Sequence, residues 1–126
     1  MTLITSKIKS GVSDVRIAIL YAGTAPVLAG YEYQLKTGDL NPPIDSRQGD
    51  NQNSQDDIYA LPTPAGQNAG RKAVVTSKIA AMDRDSDYEV RINVLQDGTI
   101  TDTLISRGKV AANGEAALSF DIIKFI

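Results

Sequence analysis

The sequence predicts one all-β domain covering residues 1–126, an antiparallel β-sandwich of about seven or eight strands with jelly-roll or immunoglobulin-like packing. Three observations support this fold class: side chains that alternate between apolar and polar, dipeptides typical of hairpin turns, and a strand motif that occurs twice. The chain has 126 residues, which is the length of a single domain.

Alternation with a period of two is the dominant pattern. Apolar and polar side chains alternate over 15–21, 27–35 and 88–94, which indicates strands with one buried face. A run rich in β-branched residues covers 72–79, and the apolar residues of 118–126 indicate a final strand. No segment longer than a turn has the 3.6-residue period of a helix.

Two dipeptides predict tight hairpin turns. Asp97-Gly98 and Asn113-Gly114 supply the residue types that adopt positive φ angles most readily, as two-residue turns between antiparallel strands require.

The chain contains an internal repeat. Ile4-Thr5-Ser6-Lys7-Ile8 returns as Val75-Thr76-Ser77-Lys78-Ile79, and the strand beginning at Val15 returns, in the same order, as the strand beginning at Val90. The pattern predicts a duplicated hairpin unit, with copies at 3–23 and 74–98.

A polar segment separates the two copies. Residues 37–70 contain most of the five prolines and are rich in Asp and Asn, which predicts a long polar loop. The loop is interpreted either as a linker between the copies or as a functional arm. Ile58, Tyr59 and Leu61 form an apolar island that either holds the loop against the domain or docks on a neighbouring subunit.

Composition argues against several classes of function. The chain has no Cys, no His and no Trp, so the usual thiolate, imidazole and indole chemistries are absent, and we expect it not to be an enzyme. A net charge of −2 predicts no nucleic-acid partner. We also expect no membrane span and no signal peptide, because residues 1–10 lack an apolar core, and the compartment stays unknown.

Two acidic clusters are candidate metal sites, although no other cofactor is expected. Asp83, Asp85 and Asp87 place carboxylates at every second position, and oxygen ligands of this kind suit Ca²⁺. Over about seven residues this stretch is similar to the acidic loops of calcium-dependent bacterial lectins of β-sandwich type, which implies a carbohydrate partner. The second cluster comprises Asp50, Asp56 and Asp57. The alternative interpretations are a solvated turn and a polar loop.

The last strand is apolar on both faces. Ile122, Ile123, Phe125 and Ile126 leave no polar face for solvent, and we expect them to be buried against another subunit, together with Ile58, Tyr59 and Leu61. The chain itself is thus the predicted partner.

The sequence therefore predicts a non-catalytic binding or assembly protein that acts as a homo-oligomeric β-sandwich subunit of a surface structure, a virion or another particle. The alternatives are a calcium-dependent, lectin-like carbohydrate-binding module and a small hydrolase that uses paired carboxylates.

Overall fold

The computed structural model describes residues 1–38, 40–52, 57–112 and 114–126. Within these ranges the chain forms nine strands and one short 3-10 helix (Ala65–Asn68). The strands are β1 (Thr2–Ser6), β2 (Val15–Gly23), β3 (Val27–Lys36), β4 (Asp45–Asp50), β5 (Ile58–Ala60), β6 (Lys72–Ala81), β7 (Ser86–Gln96), β8 (Thr99–Val110) and β9 (Ala117–Phe125).

The strands form two sheets that pack face to face, which confirms the predicted all-β sandwich. Sheet A has the strand order β1-β9-β6-β3-β4, and sheet B has the order β5-β2-β7-β8. Nine described strands exceed the predicted seven or eight. The pairing is antiparallel except between β1 and β9, which run parallel.

The core lies between the sheets and contains the inward side chains of the alternating segments. On β2 these are Val15, Ile17 and Ile19, and they pack against residues such as Tyr33 and Phe125 of sheet A. Burial of alternate apolar residues from both sheets is the main force that holds the layers together.

The two copies of the repeat occupy equivalent places, but neither copy is a hairpin. β1 and β6 lie in sheet A, whereas β2 and β7 lie in sheet B, so each copy crosses the core from one sheet to the other. β2 and β7 pair antiparallel in a symmetric register. The pair Ile17↔Val94 is matched by Ile92↔Ile19, around a central pair Ala18↔Asn93. The predicted hairpin is wrong because its two strands separate to cover both sides of the core.

The segment 37–70 is not a structureless loop, which corrects the prediction. It supplies β4 and β5, one at the edge of each sheet, and the 3-10 helix. β5 pairs with β2, and the backbone N–H of Leu61 donates to the carbonyl of Val15 at 2.8 Å. The apolar island therefore holds the segment against the domain.

The turn between β7 and β8 is the hairpin that the sequence predicts. Asp97 has a φ of 49° and Gly98 a φ of 82°, and the Asp97 carboxylate accepts hydrogen bonds from Ser13 and from the backbone of Asp14. The bond from the Ser13 side chain, followed by that from the Asp14 backbone, lowers the pKa of Asp97. Asn113, the first residue of the other predicted turn, lies outside the described residues.

Candidate functional site

Strand β9 presents its faces in an unexpected order. Its inward side chains include Asp121, Ile123 and Phe125, whereas Leu118 and Phe120 point outward. The apolar residues change face along the strand, from 118–122 on one side to 123 and 125 on the other. Only one of these faces can lie in the core, so the other remains on the surface.

This arrangement corrects the predicted contact surface at the end of the chain. Phe125 is fully buried and Ile123 is 1% exposed, so both belong to the core of the chain itself and no partner can reach them. Ile122 is half-buried on the outer face, and Ile126 is 52% exposed. Of the four predicted residues, only Ile122 and Ile126 are available to a partner.

The outer side of sheet A carries a continuous group of apolar side chains, here called the apolar face. Cross-strand pairing places Leu3 beside Ile122 and Ile122 beside Val74. Leu118 and Phe120 extend the group along β9, and they are 74% and 44% exposed. The apolar face therefore consists of Leu3, Val74, Leu118, Phe120 and Ile122, on three adjacent strands. Contiguous groups of exposed apolar side chains often mark interaction sites, whereas single exposed apolar residues are normal on a protein surface.

The outer side of sheet B carries both ion pairs and apolar side chains. Glu89 accepts from Arg107 at 3.1 Å and from Arg91 at 3.2 Å, and these bonds lower the pKa of its carboxyl group, that from Arg107 most. Leu20 and Ile105 are exposed on this side, but both are cross-strand neighbours of Arg91. Ile58 and Ile100 are also exposed on the outer side of sheet B, so this surface is mixed. Sheet A differs in that Leu118, Phe120 and Ile122 follow one another on one strand.

The apolar island lies beside a cluster of tyrosines. Tyr59 is half-buried, and its ring stacks on Tyr33 at a centroid distance of 5.4 Å. The hydroxyl of Tyr31 contacts the Tyr59 hydroxyl and donates to the Asp57 carboxylate at 2.7 Å. Leu61 is buried in the core, so of the three predicted contact residues Ile58 is the most exposed.

The interior contains more polar groups than the sequence indicates. The Tyr21 and Ser77 hydroxyls are hydrogen-bonded at 2.7 Å, and burial raises the pKa of Tyr21, Tyr31 and Tyr33. Asp121 is fully buried. It accepts from the Ser119 hydroxyl at 2.8 Å through Oδ2, whereas its Oδ1 has no partner among the described residues. Burial raises the pKa of Asp121 despite that bond.

The acidic stretch before β7 borders a pocket of about 530 Å³. Asp85 and Asp87 line it together with Thr24 and Lys109, and Asp83 does not. Asp85 accepts from the backbone N–H of Ala112 at 2.9 Å. The pocket therefore combines carboxylate, ammonium and hydroxyl groups, a set that suits a polar ligand.

The predicted metal ligands do not converge in the part of the chain that the structure describes. Asp50 caps the turn after β4 by accepting from the Gln52 N–H, and Asp57 is bonded to Tyr31. Asp56 lies outside the described residues. Among the residues described, no group of three or more carboxylates is close enough to hold a metal ion. Calcium binding stays a prediction from the sequence.

Leu3 and Val74 of the apolar face were not predicted to lie on a contact surface, and Leu118 and Phe120 were predicted only to belong to the final strand. The available signal was the alternation of Leu118, Phe120 and Ile122 with Ser119 and Asp121. That pattern by itself would put the apolar residues inside, the opposite of what is observed.

None of the described helical segments is long and apolar enough to cross a membrane. No protein-family model, curated protein or solved structure matches this chain.

Proposed function

We propose that the protein is a non-catalytic assembly subunit that associates with copies of itself through the apolar face. The observation that carries this proposal is the outward position of Leu118, Phe120 and Ile122 on β9 while an aspartate of the same strand lies in the core. Exposing these side chains gives up the hydrophobic stabilisation of burying them, about 1.5–3 kcal/mol for each large side chain, unless a partner covers them.

A second copy is the partner that fits this face best. Across all five strands of sheet A, the cross-strand row of Leu3, Ile122, Val74, Gln34 and Ser46 contains no charged residue. Two copies can therefore pack on this row without opposing like charges.

The charges beside the row also suit packing about a two-fold axis. Lys36, Lys72 and Lys124 form the next row on one side, and Glu32 lies in the next row on the other. A two-fold axis along the uncharged row would bring Lys36 of one copy towards Glu32 of the other. The same axis brings Lys72 towards Thr76 and Lys124 towards Phe120, so the charge complementarity is confined to the Lys36 and Glu32 pair on β3.

The test is to place a charge within the apolar face. Phe120→Lys is expected to break the contact between apolar faces, because a lysine would have to be buried in an apolar contact. Gln48→Lys is the matched control, since Gln48 is exposed in the same cross-strand row on β4 and lies outside the apolar face. Masses are measured by native mass spectrometry and light scattering, and circular dichroism checks that both variants fold.

The expected result is a wild-type mass that persists in Gln48→Lys and falls in Phe120→Lys. A wild-type chain that stays monomeric at every concentration tested contradicts the proposal. An unchanged mass for Phe120→Lys contradicts the use of the apolar face.

Carbohydrate binding is the second candidate, and the pocket beside β7 favours it. Asp85, Asp87, Thr24 and Lys109 offer acceptors and donors for hydroxyl groups within one cavity. If Ca²⁺ takes part, it must raise the melting temperature, because a ligand that binds only the folded state stabilises it. Glycan-array binding that is lost in Asp87→Asn would support this candidate, and binding that does not change would count against the pocket.

A further inference from the structure

We infer that β1 is a pairing edge, along which the β1 strands of two copies join antiparallel and make sheet A continuous between them. The inference rests on the proposed self-association and deepens it by naming a second contact. The evidence for it is a comparison of the edge strands of the two sheets, and it does not depend on the residues of the apolar face.

Three of the four edge strands have features that discourage pairing with another chain. β4 carries Asp45, Arg47 and Asp50, and two prolines precede it. β5 has only three residues and is followed by Pro62. β8 carries Asp102, Arg107 and Lys109 and contains an irregularity opposite Val94/Leu95. Charges, proline, short length and bulges are the usual protection of an exposed edge.

β1 itself has none of these features, although Lys7 and Lys9 follow it. Its sequence, Thr-Leu-Ile-Thr-Ser, contains no charge and no proline, and its register against β9 is unbroken. Among the described strands, β1 forms a ladder only with β9, and the Ser6 hydroxyl donates to Asp102 of β8 at 2.6 Å. The backbone edge of β1 that turns away from β9 forms no ladder and is here called the open side. An uncharged strand of regular geometry is the kind of edge that another strand can join.

The backbone groups that face the open side can be identified. Just beyond β1, the Ile126 N–H donates to the Ser6 carbonyl at 3.0 Å, and the Ile8 N–H donates to the Ile126 carbonyl at 3.0 Å. In a parallel pair, alternate residues direct both backbone groups to the same neighbour. Even-numbered residues of β1 therefore face β9, and Leu3 and Thr5 direct their N–H and C=O groups outward.

These outward groups fix the register of the contact. Antiparallel pairing centred on Ile4 sets Leu3 of one copy opposite Thr5 of the second copy, and the reverse. Both pairs then exchange two hydrogen bonds, while the two Ile4 side chains meet as a non-hydrogen-bonded pair. The result is a ten-stranded sheet, five strands from each copy, with both apolar faces on the same side.

The two contacts have different symmetry axes. The edge contact has its two-fold axis perpendicular to sheet A at Ile4, whereas the apolar-face contact has its axis in the plane of the sheet, along the row that begins at Leu3. The two axes pass about 3.3 Å apart, one residue along β1, so together they do not close a tetramer. Each contact by itself joins two copies.

Cysteine cross-linking tests the register directly, because the natural chain contains no cysteine. Opposed residues of a non-hydrogen-bonded pair have Cα atoms about 4.5 Å apart. This separation lies within the disulfide range of about 4.4–6.8 Å. Ile4→Cys is therefore expected to form a covalent dimer on mild oxidation.

Thr5→Cys is the matched control. Thr5 is more exposed than Ile4, but in this register Thr5 of one copy lies opposite Leu3 of the second copy. The Cα atoms of the two Thr5 residues are then more than about 7 Å apart, which is too far for a disulfide. Cross-linking of Ile4→Cys alone supports the inference. Cross-linking of Thr5→Cys alone, or of neither variant, overturns it.

A backbone variant gives a second test. Thr5→Pro removes an N–H that faces the open side and breaks no bond to β9, so the chain should fold. It is expected to remove the edge contact and so lower the mass of the assembly in native mass spectrometry, whereas Thr5→Val, which keeps the N–H, should leave the mass unchanged. An unchanged mass for Thr5→Pro, with loss of assembly in Phe120→Lys, overturns the edge contact and leaves the apolar face. A dimer that survives Phe120→Lys and is lost in Thr5→Pro overturns the apolar face and leaves the edge.

Discussion

Replacing Asp121 by valine is expected to stabilise the folded chain. The carboxylate is fully buried, and its Oδ1 has no partner among the described residues. Leaving one buried polar group unsatisfied costs about 1–3 kcal/mol. Asp121→Val removes this group and adds an apolar side chain of similar size, while Ser119 can keep its contact with the Ser106 hydroxyl at 3.3 Å. The variant also loses the attraction of the N-terminal ammonium and of the Ser106 and Thr2 hydroxyls for the carboxylate, which offsets part of the gain. We therefore expect the free energy of unfolding at pH 7 to rise by about 1 kcal/mol, the lower end of this range.

The stability difference between Asp121→Val and wild type should depend on pH. Burial raises the pKa of Asp121 in the folded chain above its value in the unfolded chain, so the folded state binds the proton more tightly. The associated stability is complete below the unfolded pKa, about 3.9, and is lost as the pH rises through the folded pKa. The advantage of Asp121→Val should therefore be small at pH 3 and larger at pH 7.

Urea denaturation of both proteins at the two pH values measures this difference, and the contributions of the other titrating groups cancel between them. Asp121→Asn is the control, because it removes the charge and keeps the shape. A variant that is less stable than wild type at pH 7, or a difference that does not change with pH, would refute the reasoning, since it would mean that the Asp121 carboxylate is satisfied in the folded chain.

Three further predictions concern core packing, the turn glycine and the buried tyrosines. Phe125→Ala should lower the free energy of unfolding by about 3–5 kcal/mol, whereas Ile126→Ala should change it by less than about 0.5 kcal/mol, both measured by urea denaturation. Gly98→Ala should lower the melting temperature through a loss of about 1–2 kcal/mol, because Gly98 has a φ of 82° that disfavours a Cβ. Tyr21 and Tyr31 should not ionise before the chain unfolds in alkali, since burial raises the pKa of both, and ultraviolet absorbance titration would show ionisation and unfolding in one step.

The strands that the sequence predicted correctly are those with one buried face. In β7, β-branched residues alternate with the polar residues Glu89, Arg91 and Asn93, because one side of the strand packs on the core and the other faces solvent. In β2 the inward residues Val15, Ile17 and Ile19 have the same period of two, although only Arg16 of the intervening residues is polar. Asp97-Gly98 was readable for a similar reason, since positive φ angles restrict the residue types at a two-residue turn.

β4 escaped prediction because backbone pairing rather than burial holds it. Its residues Asp45–Asp50 are all polar or glycine, and the strand is fixed by its ladder with β3. The structure also places a glycine of this strand opposite a tyrosine, a pairing that the sequence alone does not reveal. The Tyr31 side chain covers Gly49, and in the same way the Tyr88 side chain covers Gly108 on β8, another edge strand. Aromatic side chains of this kind shield edge glycines.

Only some of the predicted contact residues lie on the surface, because the sequence of a strand with two apolar faces does not determine which face packs in the core. Ile123 and Phe125 were assigned to a partner, and they lie in the core, where β9 is a central strand between β1 and β6. The choice of face depends on distant residues of sheet B that pack against β9, and local alternation contains no information about them.

The position of Asp121 connects stability with the proposed assembly. If β9 were selected for folding alone, Leu118, Phe120 and Ile122 would face the core and Ser119 and Asp121 would face solvent, since the reverse buries a carboxylate and exposes apolar surface. A shift of one residue would produce that alternative and expose Ile123 and Phe125 instead. The observed arrangement keeps the larger anchor, Phe125, inside. It leaves the other apolar face on the surface, where only a further contact can recover the hydrophobic stabilisation that folding does not use.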